Sequence, residues 1–522
     1  MPRRLPACLA PLALLALAAC TGVPVVHHKP VSVAVPPAAV TPEDRYVQAE
    51  AAARPADHSG FRLLTLGTNA LMSRVALADQ AARSIDVQTF IFANDATGRL
   101  FADRLLGAAD RGVRVRLLLD VGFAPDDASL FDALDAHPGI EVRLFNPFAS
   151  RDPGKLARWT QLLLEFRRLN RRMHNKSLIV DNTVAIVGGR NIGDEYFDAS
   201  ADDNYRDLDL LAIGPVVGEA SRSFDTYWND EAALPNAAWG GADDAAVALA
   251  ALRPKLKRDA RRFADSDYAQ AVLAELPHGA TEVRPGEWFW GRATLVADPP
   301  EAIEAGRDAT SLRIGAQVAQ VFAAAQSELL LLTPYFVPSR AELARFAALE
   351  RQGVAVRVLT NSLASTNHAV VHSGYAQRRR DLLASGVDLF EYKPRPAQDG
   401  ARHRAGSGGA TTMHAKSFVV DRRYTFVGSL NIDPRSRLLN TEMGFLVDSP
   451  PLAEAVARYF ATATAPANAY RVAFADGRDG GALRWHTEDN GAAVVLTREP
   501  DAGFGRRLKV LIGKLLPIDG LL

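Results

Sequence analysis

A nine-residue string occurs twice in the chain, as MHNKSLIVD at 173–181 and as MHAKSFVVD at 413–421. Both copies have the form His-x-Lys-x4-Asp, which places His174, Lys176 and Asp181 in the first and His414, Lys416 and Asp421 in the second. An asparagine inside a glycine-rich turn follows each histidine by 17 residues: Asn191 in VGGRNI and Asn431 in VGSLNI. A single match to so short a pattern is weak. Two copies 240 residues apart, with matching asparagines downstream, are not a coincidence of composition, because chance matches do not recur in register.

The apolar, β-branched run in HNKSLIV and HAKSFVV reads as a buried strand whose period of two puts His and Lys on one face, where both can reach one phosphate. Asp181-Asn182 and Asp421-Arg422 read as turns into a second apolar strand, so each motif forms a hairpin that returns Asn191 or Asn431 to its histidine. Glycines 188, 189 and 428 suit close backbone approach to an anion. The chain has nine lysines against 51 arginines, and Lys176 and Lys416 are two of the nine. A compact ammonium fits a crowded phosphate oxygen where a forked guanidinium does not.

The repeat extends beyond the motifs. LADQAARSIDVQTFIF, a helical stretch and RGVRVRLLLD in the first half parallel VFAAAQSELLLLTPYF, AELARFAALE and RQGVAVRVLT in the second. Helices alternating with apolar strands imply an α/β sandwich with mixed sheets. The expected domains are 59–235 and 301–470, joined by a connector at 236–300 in which Trp288 and Trp290 serve packing, and followed by an extension at 471–522.

A formal net charge of zero argues against a general nucleic-acid binder. A local basic cluster, Arg167, Arg168, Arg171 and Arg172, runs straight into His174 and suits capture of anionic headgroups. At the N-terminus Arg3 and Arg4 precede an apolar run from Leu9 to Ala19, too short to span a membrane but right for a signal-peptide core. It ends in Leu17-Ala18-Ala19-Cys20, which resembles a bacterial lipoprotein box. That resemblance implies a signal peptide at 1–20, lipidation of Cys20 and, with Thr21 where an Asp would retain it, a place on the periplasmic side of the outer membrane, the inner membrane staying open. The other cysteine, Cys8, lies within the leader. A Pro-rich tether is expected over 21–58. At the far end, Leu508, Leu511, Ile512, Leu515 and Leu516 recur at helical spacing among Arg506, Arg507, Lys509 and Lys514, as in a helix lying on a membrane surface or one packed on the protein's own core.

The double motif resembles that of the phospholipase D superfamily. The strings RLNRRMHNKSLIVD, GGRNIGDEYFD, TPYFVP, VHSGYAQRRRDLLASGVDLFEY and GSLNIDPRSRLLNTEMGFLVD, with LLPIDGLL at the end, resemble its bacterial cardiolipin synthase C type from about Gly60 onward. The pattern departs at Asp120-Val121, where a second acidic residue is expected. The resemblance implies two tandem α/β sandwich domains related by a pseudo-twofold axis around one shared active site. It also implies that His174 attacks phosphorus to give a phosphatidyl-histidine while His414 protonates the leaving alcohol and deprotonates the acceptor. Lys176, Lys416, Asn191 and Asn431 are then expected on the non-bridging oxygens. Glu442 in NTEMG and Asp207 in RDLDLL fall at corresponding places, 28 and 33 residues after the histidines, and are expected to orient them. Asp181 and Asp421 belong to the motif but sit at strand ends, where a structural role is expected.

No Asp/Glu cluster at metal-ligand spacing flanks the motifs, so neither metal nor cofactor is expected. The expected partners are phospholipids, phosphatidylglycerol and with it phosphatidylethanolamine, and a membrane surface. The leading reading is phosphatidyl transfer to phosphatidylglycerol, giving cardiolipin. Hydrolysis shares the covalent intermediate and stays open, while the intact double motif argues against a non-catalytic scaffold.

Overall fold

The structure, a computed structural model, describes residues 23–24, 26, 29–120, 128–149, 155–239, 244–275, 288–303, 313–397, 409–475 and 480–514. The leader with Cys20 and the tail beyond Lys514, with Leu515 and Leu516, lie outside the described residues. The first half contributes β1 (His58–Leu64), β2 (Ser84–Thr89), β3 (Arg114–Leu119), β4 (Ile140–Phe145), β5 (Ser177–Val180), β6 (Val184–Gly188), β7 (Asp203–Arg206), β8 (Asp209–Ile213) and β9 (Ala233–Pro235). The second contributes β10 (Phe289–Ala297), β11 (Glu328–Leu332), β12 (Ala355–Asn361), β13 (Asp388–Tyr392), β14 (Ala410–Met413), β15 (Ser417–Val420), β16 (Tyr424–Gly428) and β17 (Met443–Asp448), and β18 (Ala469–Phe474), β19 (Leu483–Asp489) and β20 (Ala492–Leu496) follow.

Strand pairing makes the duplication visible. The first half runs β4-β3-β2-β5-β6-β8-β1 across its sheet, and the second runs β13-β12-β11-β15-β16-β17-β10. β1 pairs antiparallel with β10, so the halves share one continuous sheet whose midpoint is that seam. In each half the first three strands are parallel and connected by helices, Ala96–Asp110 and Ala128–Asp135 in one, Arg340–Arg351 and Ala369–Ala384 in the other. The remainder is antiparallel, as hairpins allow.

Three buried clusters hold this arrangement. One lies under the helices of each half, around Leu105, Val115 and Ile186 and around Phe346, Val358 and Phe418. The third joins the halves, with Phe61, Ile179, Val187 and Trp228 packed among Leu330, Val419, Val427 and Phe445. Two faces that would each be apolar and exposed in a lone half are thereby covered by each other.

Several expectations need correcting. Regular strand begins at Ser177 and Ser417, so each His-x-Lys segment is an irregular approach to a strand rather than part of it. The turns are as expected: Asp181, Asn182, Asp421 and Arg422 all have φ between 51° and 55°, and each hairpin closes between residues 180 and 184 or 420 and 424. The connector supplies β10 at the centre of the sheet, where Trp288 donates to the Tyr46 hydroxyl at 2.9 Å and packs beneath Arg62. The tether is not structureless. Thr41 and Asp44 form a reciprocal capping box that starts a helix at Pro42–Ala52, and upstream of it Val33 and Ser32 carbonyls accept from Arg114 and Arg116. β18–β20 carry the sheet into the C-terminal extension. No helix among the described residues is long and apolar enough to cross a membrane.

Candidate active site

Each histidine is pinned by the opposite half. The His174 backbone N–H donates to Thr441 O at 3.0 Å, and the carboxylate of the next residue, Glu442, meets His174 Nδ1 at 2.7 Å. The His414 backbone N–H donates to Arg206 O at 2.6 Å, and the next residue, Asp207, meets His414 Nδ1 at 2.5 Å. β7 and β14, which pair in parallel as a separate ribbon between the halves, set the second of these contacts. The sequence placed each carboxylate after its own half's histidine; the structure hands it to the other.

The carboxylates are themselves held. Glu442 accepts from the Ser429 and Ser436 hydroxyls at 2.5 and 2.7 Å, and Asp207 accepts from Leu208 N at 2.8 Å. A Cβ on Gly189 would come 2.2 Å from the Asp207 carboxylate oxygen, so that glycine is required for close approach to an anion, but the anion is the protein's own. With Nδ1–H committed to a carboxylate, the Nε2 lone pair of each ring is the one left for chemistry.

Both lysines lie buried beside their histidines. Lys176 donates to His174 O at 2.6 Å and sits over the Phe90 ring; Lys416 lies 2.5 Å from His414 O and 3.0 Å from its Nε2. Burial lowers Lys176 to about 7 and Lys416 to about 8, and pushes Glu442 up to about 7. Burial, and then the neighbouring ammonium groups, also lower both imidazoles: His414 to about 3 and His174 well below its usual value. Burial thus disfavours the charged forms of both lysines and both rings, which a bound anion would favour again.

The asparagines differ. Asn431 lines the cavity, and its side-chain Oδ1 has no hydrogen-bond partner among the described residues. Asn191 is engaged: its oxygen accepts from Ile91 N at 3.2 Å and its nitrogen donates to the Tyr196 hydroxyl at 2.7 Å. Asp181 and Asp421 are not brought to the site. Asp181 accepts from the backbone N–H groups of Ala82, Arg83 and Ser84, and Asp421 from those of Gln326, Ser327 and Glu328. Each ties its hairpin turn to the start of a neighbouring strand.

His174 and His414 open onto one cavity of about 740 Å³. Its walls follow the C-terminal ends of parallel strands, where open α/β sheets place ligands: Phe90, Ile91 and Phe92 after β2, Leu119 and Asp120 at the end of β3, Tyr335 after β11, Asn367 and His368 after β12. Apart from Asp120, noted as a departure from the family pattern, sequence reading missed these residues, together with Tyr196, Tyr205 and Arg435. Tyr205 was within reach, since it precedes Asp207 by two on an extended segment and so shares its face. Arg435 donates to Asn170 Oδ1 at 2.8 Å and to its carbonyl at 2.9 Å, adding a held cation to the lining. The basic cluster before His174 is mostly engaged with the protein's own groups, although only Arg172 is buried. Arg172 is fully buried against Asp120, Arg168 binds Glu165, Arg171 donates to Ile303 O, and Arg167 faces solvent. Among the described residues no group of three His, Cys, Asp or Glu could hold a metal ion.

A family model described as "Cardiolipin synthase, PLD-like domain" matches residues 75–228 and 318–463, one segment over each motif. Cardiolipin synthase C of Escherichia coli (strain K12) is 37% identical over 469 residues, 89% of this chain and 96% of that protein. The cardiolipin synthase of Oceanobacillus iheyensis is 25% identical over 395 residues, 75% of this chain and 66% of that protein. Among solved structures, phosphatidylserine synthase of Haemophilus influenzae Rd KW20 shares the fold over 90% of this chain and 99% of its own, with a TM-score of 0.54 at 12% identity. Two matched segments, each carrying one half of the paired histidine–lysine site, and a relative this similar along nearly its whole length lead to one conclusion: the chain belongs to the phospholipase D-like cardiolipin synthase family and is an enzyme of the phosphatidyltransferase kind.

Proposed function

We propose that the protein makes cardiolipin by transferring a phosphatidyl group from a phospholipid donor to phosphatidylglycerol through a phosphohistidine. The observation that carries this reading is the crossed pair of carboxylate-oriented imidazoles opening on one cavity. Attack by His174 Nε2 on phosphorus forms the N–P bond and breaks the bond to the headgroup oxygen, which takes a proton from His414. The acceptor hydroxyl then returns a proton to His414 as its oxygen displaces His174. Lys176, Lys416 and the Nδ2 amide of Asn431, as donors, are suited to the non-bridging oxygens. His414 gains its proton when the phosphodiester draws Lys416 away from the ring, because that ammonium is, after burial, the main cause of its lowered basicity. Incubating purified protein with labelled phosphatidylglycerol, with and without phosphatidylethanolamine, tests the reading. Cardiolipin is the expected product, and phosphatidic acid alone would point to hydrolysis instead.

The same reading includes a membrane surface and a lipid anchor. Phe504, Leu508, Leu511 and Ile512 stand exposed on the helix Phe504–Gly513, while Val510 and Gly513 are buried against the helix Ala369–Ala384, whose first turn reaches the cavity. The C-terminal helix is thus docked on the protein and still presents apolar side chains outward. Leu163, Leu164 and Phe166 are exposed just before Asn170, the residue that holds Arg435 in the cavity wall. Two exposed apolar groups connected to the cavity in this way suit entry of a two-chain lipid from a bilayer. For the anchor, Cys20→Ser is expected to abolish metabolic labelling by a clickable fatty acid, and an unlabelled wild type would remove the lipoprotein assignment.

A further inference from the structure

The two ends of the cavity differ in chemistry. Beside His174 one wall is aromatic, with Phe90 edge-on to the His174 ring at 5.2 Å and Phe92 edge-on to Phe131 at 5.4 Å, while Asp120 and Arg435 also line the cavity. Beside His414 the lining is hydroxylated. Tyr205 stacks on the His414 ring at 5.3 Å and Tyr196 meets it edge-on at 5.4 Å.

A chain of polar groups continues from there. Tyr335 donates its hydroxyl hydrogen to Asn367 Oδ1 at 2.8 Å, and Asn367 Nδ2 donates to the Tyr205 hydroxyl at 3.4 Å. Tyr205 and Tyr196 each accept a hydrogen bond from an asparagine, so the hydroxyl hydrogen of each is left to donate. His368 lines the same end, edge-on to Tyr335 at 5.5 Å, and its ring makes no hydrogen bond among the described residues. An aromatic wall at one end and oriented donors and acceptors at the other match the two parts of a phospholipid.

In the mechanism above the departing headgroup and the incoming acceptor occupy the same place in turn, both next to the group that moves their proton, His414. We propose that Tyr205, Tyr335, Asn367 and His368 form a subsite for a vicinal diol, the glycerol end of the acceptor, and that this subsite sets how the phosphatidyl-enzyme divides between a polyol and water. The inference rests on the transfer reading and names specificity-determining residues for it. A site that hydrogen-bonds two hydroxyls favours a diol over an alcohol of equal size that lacks one; with Tyr205 and Tyr335 half-buried and Asn367 and His368 exposed at the mouth, the preference is the modest one of partly solvated hydrogen bonds.

The test uses a nitrophenyl ester of phosphatidic acid as donor, whose leaving group has no hydroxyls and departs without help from an acid. Nitrophenol release reports formation of the covalent intermediate. Glycerol and 1-propanol, competing as acceptors, report the subsite through the ratio of the two phosphatidyl esters formed. Wild type should favour glycerol, and Tyr335→Phe and Asn367→Ala should each lower that preference by about threefold or more, a ratio measured within one reaction and therefore independent of how fast each variant releases nitrophenol. Variants that still release nitrophenol, at whatever rate, and keep the wild-type preference would overturn the subsite. If wild type gives phosphatidic acid alone, transfer itself fails and the subsite with it; if wild type transfers and only the variants disagree, the subsite alone is wrong.

Discussion

Glu442 lies 268 residues from His174 in the chain and 2.7 Å from its Nδ1. Its counterpart, Asp207, lies 207 residues before His414 at 2.5 Å. Neither half can orient its own histidine, so the site exists only when both halves have folded against each other. Glu442→Gln and Asp207→Asn should each lower kcat by about a hundredfold or more, as amides that leave an imidazole in the wrong tautomer do. They should differ in which step fails. Asp207→Asn should still form adduct from an activated donor, since it disturbs the acid/base and not the nucleophile, whereas Glu442→Gln should not. Equal loss of adduct in both would break the assignment of roles.

How far the sequence carried varies by residue. His174, Lys176, His414 and Lys416 were legible because a repeated motif locates the same chemistry twice. Asp207 and Glu442 were legible as a pair from position, but not their exchange, because spacing within a half says nothing about which half a side chain faces. Asn431, with its Oδ1 unpaired, and the engaged Asn191 read alike in sequence; the Ile91 N–H and the Tyr196 hydroxyl beside the second separate them. The helix at Pro42–Ala52 was hidden by prolines, although Thr41-Pro-Glu-Asp44 is the signature of a capped helix start. Tyr335, Asn367 and His368 sit on loops after strands that pair only in three dimensions.

Anion binding should be linked to protons with a definite sign. Around pH 8 the buried Lys176 and Lys416, lowered to about 7 and about 8, are largely or half deprotonated in the empty site. A bound dianion raises both, so binding takes up protons. Calorimetric titration with sulfate in buffers of different ionisation enthalpy should give uptake of about one proton per ion at pH 8 and less at pH 6. Proton release, or no linkage, would contradict the lowered lysines.

Asp181→Asn and Asp421→Asn should behave as stability variants. Each removes charge-assisted bonds to three backbone donors, which costs about 1–3 kcal/mol. Tm should fall while kcat per folded molecule stays near wild type. A hundredfold loss of kcat with an unchanged Tm would return these aspartates to the catalytic site.

The exposed face of the C-terminal helix can be tested without deleting it, which matters because Arg506 donates to the Leu363 and Thr366 carbonyls at 3.0 and 2.7 Å and Val510 is buried. Leu511→Asp combined with Ile512→Asp should reduce sedimentation with anionic vesicles and activity on them, yet spare a short-chain, water-soluble diester. Equal loss on both substrates would show that this face serves folding.

The most direct measurement is the position of the covalent adduct. His414→Ala protein, mixed with the nitrophenyl donor and digested at neutral pH to preserve the N–P bond, should carry the phosphatidyl group on the peptide containing His174, and His174→Ala should carry none. An adduct on His414, or modification of both histidines in the wild type with neither variant losing turnover, would contradict a shared site in which one half attacks phosphorus and the other moves the proton.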